Sequence, residues 1–168
     1  LIVGHYSEQI VEFVDAVFPD NRINIVFQEK RLGLGHAVFQ ALKNQDSEIV
    51  ILLGDVLMKF NENKFSSFEN CIGTVVVDDP SKYGIVNLNE SSIVSKLVEK
   101  PKISNSNLAI AGIYKVESEN KLKEALNFII ENKIKTKNEY QLTDALSYMI
   151  KNSVKFNVVE VENYLDCG

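Results

Sequence analysis

Apolar and polar positions along this chain follow two rhythms, one through the first third and another beyond it. Early on, short apolar runs alternate with segments of helical spacing. Leu1 to Gly4 reads as the end of a buried strand. Ile10, Phe13, Val14, Val17 and Phe18 then recur at helical spacing, with Ser7 placed to cap the helix. Ile23 to Phe27 is a short β-branched run, Gly35 to Leu42 a predicted helix, and Ile49 to Leu53 a continuous apolar run bounded by polar residues. Strand, helix, strand, helix, strand predicts a parallel sheet with right-handed crossovers and helices on both faces.

Beyond that point the pattern changes to strands joined by short polar turns: Thr74 to Val77, Gly84 to Leu88, Ile93 to Val98 and Leu108 to Lys115. This part is antiparallel in style. Two amphipathic helices follow, one carrying Leu122, Ala125, Leu126, Ile129 and Ile130, the other Leu142, Ala145, Leu146, Met149 and Ile150. A last strand, Phe156 to Val161, leads to Tyr164, Leu165 and Asp166. No repeat or linker divides the chain, so residues 1–168 read as one domain.

Composition narrows the function classes. With 168 residues, 45% hydrophobic and 24% charged, the chain can bury a core and is neither disordered nor membrane-built. No apolar run approaches the ~20 residues of a bilayer crossing, and no basic, signal-like start is present, so the expected compartment is the cytoplasm. Cys71 and Cys167 lack metal-ligand spacing and read as reduced thiols. A net charge of -5 spread along the chain argues against a nucleic-acid surface and for a small-molecule partner.

Four places carry candidate chemistry. Asp55, in Leu52-Leu53-Gly54-Asp55, stands just past a buried strand, where open α/β sheets form their ligand crevice. Asp166 ends another apolar segment beside Cys167 and Gly168. If they converge, two such carboxylates suit Mg²⁺, which prefers one or two protein carboxylates with phosphate oxygens and water; taken singly, each serves as well to cap a turn. The loop from Gln28 to Ala37 joins closely spaced glycines, Gly33 and Gly35, to a helix start, where backbone N–H groups can meet polar ligand edges, although a tight turn alone would use the same residues. In the same loop His36 reads as a packing or capping residue rather than a base. Glu99 and Lys100 follow a strand, and Pro101 predicts an extended Lys100, so the pair should face opposite sides or fan outward. It could serve a sugar phosphate, or it could be solvated and idle.

These pieces occur together and in order. Gly33-Leu34-Gly35-His36-Ala37-Val38, Leu53-Gly54-Asp55, Asp79-Pro80-Ser81-Lys82-Tyr83-Gly84-Ile85-Val86, Val98-Glu99-Lys100-Pro101, Ser106-Asn107-Leu108-Ala109, Gly112-Ile113-Tyr114, Glu139 to Ala145 and Leu165-Asp166-Cys167-Gly168 span nearly the whole chain. On these motifs the sequence resembles the sugar-phosphate nucleotidyltransferases, in particular the glucose-1-phosphate thymidylyltransferases and the bacterial-type UTP:glucose-1-phosphate uridylyltransferases. The resemblance implies an α/β, Rossmann-like domain with a mostly parallel central sheet, helices on both faces and a smaller antiparallel part. It implies transfer of a nucleotidyl group from UTP or dTTP to a hexose 1-phosphate, first of all glucose 1-phosphate, with release of pyrophosphate.

It also implies roles. Gln28 and Gly33 would contact the pyrimidine base, and Asp55 and Asp166 would hold catalytic Mg²⁺. Gly84 would offer a backbone N–H to a sugar hydroxyl, Glu99 would bind sugar hydroxyls and Lys100 the sugar phosphate. Glu139, Tyr83, Asn107 and Gly112 fall on the sugar side. Oligomers are common in the family, so a homo-oligomer is compatible with the resemblance. The family's opening Gly-Thr-Arg and Lys-Pro-Lys segment, with the first strand and its loop, has no counterpart in these residues. The expectation is therefore a partial domain, inactive by itself, in which the place of a strand is left to be filled. A catalytically silent subunit or fragment of such an enzyme is the alternative.

Overall fold

The computed structural model describes residues 1–20 and 22–168. Its elements are β1 (Ile2–Val3), α1 (Ser7–Val17), β2 (Val26–Phe27), α2 (Leu34–Ala41), β3 (Ile49–Leu52), β4 (Val56–Phe60), α3 (Glu62–Ser67), β5 (Cys71–Val76), β6 (Gly84–Leu88), β7 (Val94–Glu99), β8 (Leu108–Val116), α4 (Glu119–Glu131), α5 (Leu142–Lys151) and β9 (Asn157–Asp166). The α/β class holds. The sheet, however, is mixed rather than mostly parallel. Its order is β4-β9-β5-β8-β6-β7, with β3 also paired to β8. Among the described residues the parallel pairings are β5 with β9 and, in a separate two-stranded sheet, β1 with β2. The reason is topological. β3 joins β8, which arrives much later in the chain and runs the opposite way, with Ile49 opposite Val116 and Leu52 opposite Ile113.

The two late helices form as their patterns predict. Ser118 caps α4 by accepting from Lys121 N, and Leu122, Ala125, Leu126 and Ile129 lie fully inside. Leu142, Ala145, Leu146 and Met149 of α5 face them, and with α2 they cover one face of the sheet against Ile72, Val86, Val116 and Phe156. The other face is covered more thinly, by Phe65 of α3 over Cys71, Ala111, Ile113, Val159 and Val161. Helices on both faces are therefore present.

Helix α1 departs from its sequence reading. Tyr6, not Ser7, occupies the cap position, at φ 55 and with no side-chain cap. None of the α1 residues is buried, and Phe13 is 60% exposed. Between the β1/β2 pair and the free edge of β3 runs a cleft of about 620 Å³, lined from one side by Leu1 to Gly4 and from the other by Ile49 to Gly54. The two sheets approach each other there without pairing.

Candidate functional site

A second, smaller cleft of about 230 Å³ opens at the ends of β3, β7 and β9. Seven of the predicted site residues line it: Asp55, Tyr83, Gly84, Glu99, Lys100, Gly112 and Asp166. An element absent from the sequence reading, β4, explains how Asp55 and Asp166 meet. It begins right after Asp55 and pairs antiparallel with β9, with Val56 opposite Asp166. Cys167 N–H then donates to the Asp55 carbonyl at 2.8 Å, which closes the two chain segments on each other. Asp55 Oδ2 and Asp166 Oδ1 lie 2.9 and 3.5 Å from the point where a side chain on Gly168 would begin, so the carboxylates are neighbours around one small space. Gly168 N–H donates to Asp166 Oδ1 at 3.1 Å. Among the described residues no group of three or more His, Cys, Asp or Glu forms a metal cage. A pair of exposed carboxylates suits a hard cation that keeps waters and takes other ligands from substrate oxygens. Tyr164, two residues before Asp166 and so on the same side of β9, has its hydroxyl pushed up to about 12 by burial and by the charges of Asp166, Tyr83 and Asp55.

Lys100 does not adopt the extended form that Pro101 predicted. Its φ is 43, the left-handed region, and its N–H donates to Tyr83 O at 3.0 Å. Such a backbone costs a non-glycine residue about 1–2 kcal/mol, and strain of this kind collects at functional sites. Its effect is concrete: the turn lets Glu99 and Lys100 line the same cleft instead of facing opposite ways. Burial holds the Glu99 carboxyl above the ordinary range, offset by the hydroxyl of Thr143, which donates to Oε2 at 3.2 Å, and by the Lys100 charge. Thr143→Val is expected to raise the Glu99 pKa further, seen as an upward shift in its carboxyl NMR titration. An unshifted titration would mean that the hydroxyl does not hold the ionised form.

Gly112 is required where it stands. It has φ 86, and a side chain would press on Leu53 at 3.3 Å; its carbonyl accepts from Leu53 N, which ties β8 to the end of β3. Gly33 has φ 109, and a Cβ there would lie 2.7 Å from Tyr140 O. The glycine loop is thus pressed against the segment before α5, and Gly35 N–H donates to Tyr140 O at 2.8 Å.

Gln28 borders the larger cleft, which meets the smaller one at Leu34 and Leu53. Glu139 stands behind Gly33 and accepts from Gln141 Nε2 at 3.1 Å, outside the lining of the smaller cleft. Asn107 is not brought to the site. It is exposed at the head of β8, where its carbonyl accepts from Val77 N. Ile110, three positions on and about 10 Å further along an extended strand, lines the cleft instead. Residues without a predicted role also converge there: Lys82, Tyr114, Gln141, Thr143 and Tyr164. All but Tyr164 lie inside motifs quoted above, which was the available signal.

A family profile described as nucleotidyl transferase matches residues 5–168. The chain belongs to the nucleotidyl transferases. The resemblance carried by its motifs falls within that family. A curated relative, a bifunctional protein GlmU of Methanococcus maripaludis, is 36% identical over 150 residues, covering 79% of this chain and 36% of the relative. The chain thus spans about a third of that relative's length. Two solved structures share the fold. A Bacillus anthracis protein assigned as a glucose-1-phosphate thymidylyltransferase, in complex with sucrose, superimposes with TM-score 0.77 at 21% identity, over 98% of this chain and 68% of that one. A UDP-glucose pyrophosphorylase complexed with UDP-glucose does so with TM-score 0.73 at 24% identity, over 95% and 66%. No helix among the described residues is long and apolar enough to cross a membrane.

Proposed function

We propose that this nucleotidyl transferase domain joins a hexose 1-phosphate, glucose 1-phosphate first among the candidates, to UTP or dTTP with release of pyrophosphate. The observation that supports this most is the placement of Asp55, Asp166, Glu99 and Lys100 around one cleft with room for a single sugar ring. The smaller cleft takes the sugar phosphate. The glycine loop with Gln28 and Gly33, one residue from the shared wall at Leu34, takes the base.

In this reaction a phosphate oxygen of the sugar 1-phosphate forms a bond to the α-phosphorus, and the bond from that phosphorus to pyrophosphate breaks. Two anions must be brought together, so positioning and charge neutralisation carry the catalysis. Lys100 places its ammonium against the sugar phosphate, with Lys82 as a second cation on the same rim. Glu99, when ionised, accepts hydrogen bonds from sugar hydroxyls. Gly84 lies against it, a Cβ there falling 3.2 Å from Glu99 Oε2, which keeps the floor of the cleft open. Asp55 and Asp166 would hold Mg²⁺, which would offset negative charge on the transferred phosphate.

The test is pyrophosphate release by the full-length protein over a panel of nucleoside triphosphates and sugar 1-phosphates. Release with UTP or dTTP and a hexose 1-phosphate is expected, and none with any pair would favour a silent subunit. Lys100→Ala should raise the KM for the sugar 1-phosphate about tenfold or more while moving the nucleotide KM by less than about threefold, because it removes charge from one substrate only. An equal loss on both substrates would refute that assignment.

A further inference from the structure

The glycine loop contains a hydrogen-bond relay that assigns a role to His36. Gln28 is fixed by its backbone, whose N–H donates to Val3 O at 2.8 Å. Its side-chain nitrogen lies 3.1 Å from the Gly33 carbonyl and 3.3 Å from His36 Nδ1. A carbonyl oxygen can only accept, so the group facing Gly33 must be the amide NH₂ and not its oxygen. The second hydrogen of that NH₂ points to His36, which requires Nδ1 to be a bare acceptor and the ring proton to sit on Nε2. Both amide hydrogens of Gln28 are then used inside the loop. Oε1 is left over, an acceptor with a fixed direction.

We propose that His36 is a positioning residue for base recognition: by accepting from Gln28 it holds the amide with Oε1 toward the ligand, so the loop selects a base whose ring nitrogen carries a hydrogen. The inference rests on the reading of Gln28 and Gly33 as the base-binding pair, and it adds to that reading the group that sets the polarity of the pair. Uracil and thymine present an N–H at ring position 3, which Oε1 accepts. Cytosine presents a lone pair there, which Oε1 repels.

The relay has a built-in pH dependence. Burial, and then the Lys30 charge in the same loop, hold the His36 pKa below its ordinary value. On the loop's other flank Glu139 and Tyr140 pack against Gly33. A lowered pKa keeps the ring neutral and accepting at neutral pH, and the relay is lost only as pH falls through that lowered value. A protonated ring donates from both nitrogens. Gln28 must then turn Oε1 toward His36, which strips Gly33 O of its donor and presents NH₂ to the base. The preference should move from uracil toward cytosine.

The experiment measures kcat and KM of the full-length protein for UTP and CTP between about pH 8 and pH 5, for the wild type, His36→Asn, His36→Ala and Gln28→Ala. In the wild type the ratio of kcat/KM for UTP over CTP should fall about tenfold on acidification, the size of one well-placed hydrogen bond. His36→Asn retains an acceptor that cannot be protonated, so its ratio should stay flat with pH. His36→Ala should lower the ratio at neutral pH, through the KM for UTP more than through kcat, and should leave it nearly independent of pH. A ¹⁵N imidazole spectrum of the wild type at neutral pH, free of any activity readout, should show His36 with its proton on Nε2. A proton on Nδ1, or an unchanged ratio in His36→Ala where Gln28→Ala does change it, overturns the role of His36 alone. An unchanged KM for every nucleotide in Gln28→Ala overturns the base-site reading and the proposal with it.

Discussion

Asp166→Asn in the full-length protein is expected to lower kcat/KM for nucleotide-sugar formation by about 10²- to 10³-fold, with Asp55→Asn close behind. The carboxamide keeps the shape of the side chain and removes its charge. Losing one of two anionic ligands should remove several kcal/mol of the charge stabilisation that a bound cation provides. The two residues surround one small space across the β4/β9 ladder, so they should behave as a unit: the double variant should be little worse than the worse single one. Because both side chains are exposed, the melting temperature should stay close to that of the wild type. Pyrophosphate release, titration of activity with Mg²⁺ and a melting curve check the three parts. Full activity in either variant, or losses that multiply in the double variant, would show that the two aspartates do not share a metal.

The second large effect concerns the 168-residue polypeptide studied by itself. Its β1/β2 pair and the edge of β3 flank the 620 Å³ cleft without hydrogen-bonding to each other. Apolar residues around that region stand in solvent: Phe13 and Val17 on α1, Phe27 on β2, Val50 and Leu52 on β3. Unpaired strand edges beside apolar surface template association, and contiguous exposed apolar patches recruit a partner. The polypeptide is therefore expected to elute well above its 18.9 kDa monomer mass and to enhance the fluorescence of an apolar dye. Amide exchange should be fast in α1 and β2 and slow in α4 and α5, whose buried faces form the main core. A compact, dye-silent monomer would contradict this expectation.

The elements that were legible in the sequence share a physical cause. The helical patterns of α4 and α5 were read correctly because their apolar faces are buried against a single core, so periodicity and packing agree. The pattern in α1 is equally regular, yet the helix buries nothing, since periodicity states which face could be covered and not what covers it. The strand β4 was missed, and the reading of β9 stopped at Val161, because Tyr164 to Asp166 continues the strand in polar surroundings that mimic a turn. Asn107 fell away from the cleft since motif order along β8 does not say which residue reaches its end.

By itself the sequence determined which residue types stand at element ends, which helices have a face to bury, and which family the motifs match. These are local properties, set by side-chain chemistry and spacing. Tertiary structure decided the rest. Pairing β3 with β8 made the sheet mixed, because strand direction depends on a neighbour that arrives more than fifty residues later. Pairing β4 with β9 brought Asp55 to Asp166. A left-handed Lys100 turned two adjacent charges into one cleft, and the loop pressed against Tyr140 set His36 beside Gln28. Each of these depends on hydrogen bonds between residues distant in sequence, whose partners no local pattern specifies.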